Sequence, residues 1–337
     1  SSIDDSIPWY DDTDLSHVSP LQENRTTSRI SPEDKVSSTE PAIKTMSTDY
    51  FQQCVGFRNI APILKSLKEH AQPTIQIRDT GKHPILSRGE TATLPKKKKG
   101  KTVPRPRRYG DCWTYDVIFG NGRAIGGINY AILFVDRKSR YKIMIGMKDV
   151  EKKSVRQAIK KFIRKIGFYP NQIIADRDFK IIGSHVDDIL EPHTLVSGAP
   201  SGRQSQNGLT ESNWRYICTM ARNYLAHHHL PPEYWFFALR YSVQASNYIP
   251  VPTDDGTLVT PFFLAFGTKP DFRKLIPLFS PAYVRIYDSG LGNKLQSQTV
   301  RAILVGNDEK SDGRLFYNPE TRSMMGSSDY IIDEVLP

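Results

Sequence analysis

Asp116 interrupts an otherwise apolar run, WTYDVIF (113–119). A carboxylate inside a core-like strand costs several kcal/mol unless it is paired or metal-bound, so the position implies a task. Asp176 closes a second apolar run, QIIAD (172–176), at the carboxyl end of a strand, where open α/β sheets place their ligand sites. Glu211 follows a polar loop, GAPSGRQSQNGLTE (198–211), and stands near the start of a helical run. Leu209, Ile217, Met220 and Tyr224 take other directions on that helix, whereas Arg215 and Arg222 fall about 40° and 20° from Glu211 by the 3.6-residue period. One stripe thus sets a carboxylate among guanidiniums, where phosphate can approach. Three carboxylates converging from separate elements at a sheet edge can hold two Mg²⁺ ions about 3.5–4 Å apart for in-line cleavage and transfer of a phosphodiester. All-oxygen donors favour such hard cations, with Mn²⁺ able to substitute.

The elements that must position these residues are legible nearby. CWTYDVIF (112–119) reads as a buried strand, and INYAILFVDRKSRYKIMIGM (128–147) as two strands around a polar turn at 136–139. Residues 153–166 place Val155, Ile159, Phe162, Ile163 and Ile166 at helical spacing, an amphipathic crossover helix. QIIAD and HTLVSGAP (193–200) are further strands, and 211–226 and 232–248 are helical. The expected order is three strands, a helix, two strands and two helices, an α/β fold. Beyond residue 250, AYVRIYD, TVRAILVGN, GRLFYN and YIIDEVL read as strands separated by turn residues, a small β-rich region. No internal repeat at periods of about 20 to 50 residues is visible.

The 337 residues suggest about two folded units. Apolar residues make up 38%, below the globular average of about 45%, so part of the chain is expected to be disordered. Residues 1–49 are rich in Ser, Thr, Asp, Glu and Pro and have no sustained period, the composition of a disordered acidic linker. The segment 50–70 supports one short helix near 63–70. The net charge of +10 is uneven: −6 over residues 1–50, +11 over 51–108 and +5 over 109–337. Lys96, Lys97, Lys98, Lys99, Lys101, Arg105, Arg107 and Arg108, spaced by prolines, form an extended basic tether. Such a segment favours a polyanion, with nucleic acid the leading partner class. No run approaches the roughly 18 apolar residues needed to cross a bilayer and no signal peptide is visible, so an intracellular chain without a membrane partner is expected. The start at Ser1 and the strand-like end suggest a piece of a longer polypeptide. Cys54, Cys112 and Cys218 lie far apart and are expected to be reduced.

The 35-residue spacing from Asp176 to Glu211, preceded by Asp116, resembles the D, D and E triad of copia-type retrotransposon and retroviral integrases. RYGDCWTYDVIFG, FVDRKSRY, IIADRDF and QNGLTESNWRYI follow the family's order, and TPFFLAFGTKPDFRKL, AYVRI, RAILVGND, GRLFYNPETR and SSDYIIDE resemble the stretch after its catalytic core. The match covers about 109–337. It implies a ribonuclease-H-like five-stranded mixed sheet flanked by helices over 109–250 and a β-rich region over 251–337. Residues 50–108 become a pre-integrase segment and tether. The implied activity is Mg²⁺-dependent trimming of element DNA 3′ ends and their transfer into host DNA. Asp116 and Asp176 would bind one ion and Asp116 and Glu211 the other, with Gln206 and Asn207 in a loop beside the DNA end. Partners implied are the element ends, host target DNA, further copies of the chain, and the protease and reverse transcriptase of the same polyprotein. The implied locations are a cytoplasmic particle and then the nucleus.

The sequence departs from the family in two places. Asp176 continues as Arg177-Asp178 rather than Asn-Gly; Asp178 would give a spacing of 33 and share a strand face by period 2, and Asp176 is preferred. No upstream His and Cys zinc module is recognisable, because Cys54 and Cys112 are solitary and His70 and His83 lack ligand spacing. Plainer readings also apply: Asp136 and Asp149 suit turns and helix starts, Asp187 and Asp188 a solvated helix face, and His227, His228 and His229 a solvated helix end favoured by the dipole. Most aromatics stand at core spacing. Two rival functions remain: an inactive or domesticated relic that only binds DNA, and a non-catalytic spacer of the polyprotein.

Overall fold

The apolar alternation of the sequence becomes two five-stranded sheets in a computed structural model. The structure describes residues 19–20, 44–56, 60–61, 63–65, 75–78, 108–120, 122–175, 189–190, 193–198, 208–253, 255–272, 275–286, 298–307 and 313–333. At the N-terminal side, β1 (Lys44–Ser47) leads directly into α1 (Thr48–Cys54) and pairs in parallel with β2 (Ile75–Arg78). Ser47 caps α1 by accepting the Tyr50 N–H at 3.1 Å. The stretch 44–49, assigned to the linker by composition, therefore forms a strand and the start of a helix. The helix of this region lies earlier than expected; of the run 63–70, residues 63–65 are helical and the remainder is outside the described residues.

The central sheet follows: β3 (Cys112–Phe119), β4 (Tyr130–Asp136), β5 (Lys142–Met147), α2 (Lys152–Ile166), β6 (Gln172–Ala175) and β7 (Leu195–Gly198). Its spatial order is β5-β4-β3-β6-β7, with the first three strands antiparallel and the last three parallel. This is the five-stranded mixed sheet flanked by helices that the resemblance implied. The polar turn between β4 and β5 makes the hairpin, and the α2 crossover makes the parallel return that a hairpin cannot make. α2 buries Val155, Ile159 and Phe162 on one face of the sheet, where Phe162 stacks on Phe134 at 3.9 Å. Its end is set by Gly167, whose φ of 78° suits glycine and whose N–H returns to the Ile163 carbonyl.

The opposite face is covered by α3 (Gly208–His227) and α4 (Trp235–Tyr248), which bury Trp214, Ile217, Met220, Tyr224 and Phe237 against Leu133, Val135 and Met144. A short helix, α5 (Pro261–Phe266), precedes the second sheet, β8 (Pro281–Arg285), β9 (Thr299–Asn307), β10 (Arg314–Asn318), β11 (Ser323–Ser327) and β12 (Tyr330–Ile332), in the order β11-β10-β9-β8-β12 and antiparallel throughout. This is the expected β-rich C-terminal region with one strand added. β11 is SMMGS, whose composition carries no strand alternation, and it forms because β10 offers it a ladder. The sheet docks on α4 through Val305 and Tyr317. Among the described residues no helix is long and apolar enough to cross a membrane.

Candidate functional site

Cross-strand pairing settles the face on which Asp116 lies. Asp116 is opposite Leu133, and Leu133 is opposite Met144, so the three share one face of the sheet. Leu133 and Met144 are buried against Trp214 and Ile217 of α3. Asp116 therefore lies on the face that α3 covers, at the residue where β3 changes from buried to half-buried. Its Oδ1 accepts the Val117 N–H at 2.8 Å. The β3–β6 ladder ends with Tyr115 opposite Ala175, one residue before Asp116 on one strand and one before Asp176 in the chain. Asp176 and Asp178 are outside the described residues. Glu211 is the fourth residue of α3, which packs against β3.

Arg215 and Arg222 are both exposed on α3. Arg222 donates to the Thr219 hydroxyl at 3.1 Å, and that hydroxyl donates to the Arg215 carbonyl at 2.8 Å. The helix thus leaves two guanidiniums on its solvent side two turns apart. Arg108 is tied down: its Nε donates to Asp111 Oδ1 at 2.8 Å and its N–H to Oδ2 at 3.3 Å, fixing the end of the tether at the entry to β3. Lys96, Lys97, Lys98, Lys99, Lys101, Arg105, Arg107, Gln206 and Asn207 are outside the described residues.

Other candidate groups resolve into structural roles. Asp136 is fully buried and accepts from the N–H groups of Gly110, Lys138 and Ser139 and from the Ser139 hydroxyl, at 2.7–3.1 Å. Burial raises its pKa to about 6 against the lowering by these donors. Asp149 accepts the Glu151 N–H at the entry to α2. The histidine run differs from expectation: the His228 ring packs edge-on against Phe279 at 5.7 Å, and burial lowers its pKa to about 4. At neutral pH it is an uncharged packing group rather than a cation favoured by the helix dipole. Among the described residues no group of three or more His, Cys, Asp or Glu side chains gathers as a metal site.

The docking of residues 44–63 onto the core was not legible in the sequence. Phe51, Val55, Ile60 and Ile63 pack with Phe272 and Leu275, while Tyr224 and Asn223 of α3 donate to the carbonyls of Cys54 and Gly56 at 3.1 and 3.3 Å. These contacts hold the helix that carries Glu211. The apolar pattern of 50–63 was the available signal, but its partner lies more than 200 residues away in the chain.

No protein-family model matches the chain. Its relatives include the retrovirus-related Pol polyproteins from transposons RE2 and RE1 of Arabidopsis thaliana. The first is 26% identical over 176 residues, 50% of this chain and 11% of the relative. The second is 24% identical over 244 residues, 69% of this chain and 15% of the relative. The chain thus spans at most 15% of the length of these relatives. Among solved structures it is similar to a chain of a simian T-cell lymphotropic virus intasome in complex with PP2A regulatory subunit B56 gamma, at 14% identity and a TM-score of 0.40 over 69% of this chain and 81% of that one. It is also similar to the HTLV-2 integrase catalytic core domain in complex with magnesium, at 17% identity and a TM-score of 0.35 over 48% and 99%.

Proposed function

We propose that this chain, a relative of the Pol polyproteins of copia-type retrotransposons, supplies an integrase that trims the 3′ ends of element DNA and transfers them into host DNA. The observation that carries this reading is the placement of Asp116 on the α3-covered face, beside the end of the strand that precedes Asp176 in the chain and under the helix whose first turn contains Glu211. A half-buried carboxylate on a central strand, one residue past the end of the β3–β6 ladder, is positioned to offer oxygens to a hard cation.

The donor set fits Mg²⁺, because Asp116, Asp176 and Glu211 offer only carboxylate oxygens. When bound, Mg²⁺ would lower the pKa of the attacking water or hydroxyl and stabilise the departing 3′ oxygen. The chain's own contribution is positioning. β3 fixes Asp116 through ladders on both sides, α3, whose first turn contains Glu211, covers that face, and Arg215 and Arg222 on the exposed side of α3 would attract a phosphodiester by charge. The basic tether supplies sequence-independent affinity for DNA. Element ends, target DNA, further copies of the chain, and the protease and reverse transcriptase of the polyprotein are the partners of this reading, with the nucleus as the place of reaction.

The test is strand transfer by the full chain with Mg²⁺, a labelled duplex bearing the element's terminal sequence and a plasmid target. Joining is expected to fall by at least about 10²-fold in Asp116→Asn, Asp176→Asn and Glu211→Gln and to survive in Asp178→Asn, with chelation abolishing joining but not DNA binding. Salt-sensitive binding without joining in a folded preparation would instead make the chain a DNA-binding relic. Absence of binding would make it a spacer.

A further inference from the structure

A cavity of about 320 Å³ opens between β5, α4, α5 and the end of β9. Lys142, Lys165 and Arg240 line it, and no carboxylate does among the described residues. Lys142 is only 4% exposed. Its backbone N–H and carbonyl are held by the Asn247 side chain, both at 2.9 Å, which pins the start of β5 to α4. Among the described residues its ammonium has no hydrogen-bond or ion-pair partner. A buried cation without a counter-charge is costly, and here burial, with Arg140 nearby, lowers its pKa to about 7.

The surroundings are built to keep positive charge in place. Arg240 donates from Nη2 to the Asn307 carbonyl at 2.9 Å. It does so beside a bulge in β9, where the register shifts between Leu304 and Gly306. Gly306 has a φ of 151° and faces the guanidinium, its ideal Cβ position 3.5 Å from Nη2, so the strand adopts a glycine conformation where the arginine passes. Tyr141, Tyr248, Phe262 and the Gln244 amide complete walls suited to an organic group. The volume is at the lower end of small-ligand sites.

We propose that this cavity is a phosphate-binding site, in which Lys142 contacts a phosphate monoester flanked by Lys165 and Arg240. By register, Lys142 lies two strands from β3 and opposite neither Asp116 nor its partners, so the site stands apart from the carboxylates and does not depend on the integrase reading. A dianion suits a cavity lined by three cations and, among the described residues, by no carboxylate, and it restores the charge that burial disfavours on Lys142. The phosphate has two possible sources, a free mononucleotide or the 5′-terminal phosphate of a DNA strand.

Calorimetry on the full chain tests the site with inorganic phosphate, AMP, and matched oligonucleotides bearing a 5′-phosphate or a 5′-hydroxyl. Phosphate and AMP are expected to bind the wild type, and Lys142→Met to weaken both by about tenfold or more. The same variant is expected to melt above the wild type in phosphate-free buffer, because a buried charge has been removed. At pH 8 binding should take up a proton, read as a heat that varies with the buffer; Arg140, Lys165, Arg240, Tyr141 and Tyr248 are the other charged or titratable groups around the ammonium. A Lys142-dependent preference for the 5′-phosphorylated strand assigns the phosphate to DNA, and AMP binding without that preference assigns it to a free nucleotide. Unchanged phosphate and AMP affinity in folded Lys142→Met, or wild-type heats no different from chloride at equal ionic strength, would overturn the site.

Discussion

Asp136 and Asp116 stand on adjacent strands and look alike in the sequence, each a charge at or within an apolar run, yet their partners separate them. Asp136 closes the β4–β5 turn with four donors converging on one buried carboxylate. An Asn there cannot accept from Gly110 on one side and from Ser139 on the other, since one of its two terminal atoms is a donor. Burial raises the folded pKa from the ordinary 3.8 to about 6, so between about pH 4 and pH 6 the folded chain holds a proton that the unfolded chain releases. The stability contributed by Asp136 is thus fully present near pH 4 and declines as pH rises through 6. In urea denaturation, the stability of wild type minus that of Asp136→Asn is expected to grow by on the order of 2 kcal/mol from pH 7 to pH 4. A difference that stays constant over that range would show an ordinary surface-like carboxyl. At Asp116 the pattern is a half-buried carboxylate accepting from its neighbour's N–H on a face shared with α3, which is why the same kind of substitution there is expected to act on joining.

At the scale of elements, periodicity located β3, β4, β5, α2, α3 and α4, because each carries a face wide enough to be seen without its partner. β11 and α1 escaped or shifted for the converse reason: SMMGS has no alternation, and α1 is seven residues whose apolar side makes sense only against Phe272. The contact between α1 and α3 can be weighed directly. Tyr224→Phe removes the donor to the buried Cys54 carbonyl at 3.1 Å and is expected to cost about 1–2 kcal/mol in denaturant unfolding. Gly167→Ala should cost about 1 kcal/mol for a different reason, since its φ is 78° and nothing lies within 4 Å of the added carbon. The penalty there is conformational rather than steric. Gly120 presents the opposite case, with the Trp235 ring 2.3 Å from where a Cβ would stand, so any side chain displaces the indole that helps seat α4.

For the molecule as a whole, the N-terminal segment belongs to the core at its end. Removal of residues 1–43 takes away the two-residue pairing of Ser19–Pro20 with Phe168–Tyr169, and removal of 1–56 also strips Phe51 and Val55 from Phe272 and Leu275. The second truncation is expected to lower the melting temperature by several degrees more than the first, as scanning calorimetry would show. Charge acts at the same scale. With a net charge of +10, DNA affinity should fall linearly in log–log plots against salt, and replacing Lys96, Lys97, Lys98 and Lys99 by Ala should flatten the slope by up to about 4. The sequence by itself determined the strand and helix order of the central sheet and its helices over 112–248, the β-rich character of the C-terminal region and the candidate carboxylates, because periodicity, spacing and charge are local properties of a chain. Only the tertiary structure decided that Asp136 is a buried turn anchor, that His228 is uncharged packing, that residues 44–63 dock against a segment more than 200 residues away, and that Lys142 faces a cationic cavity. Each of those depends on which distant surface excludes water from a side chain, and water exclusion is a property of the packed molecule.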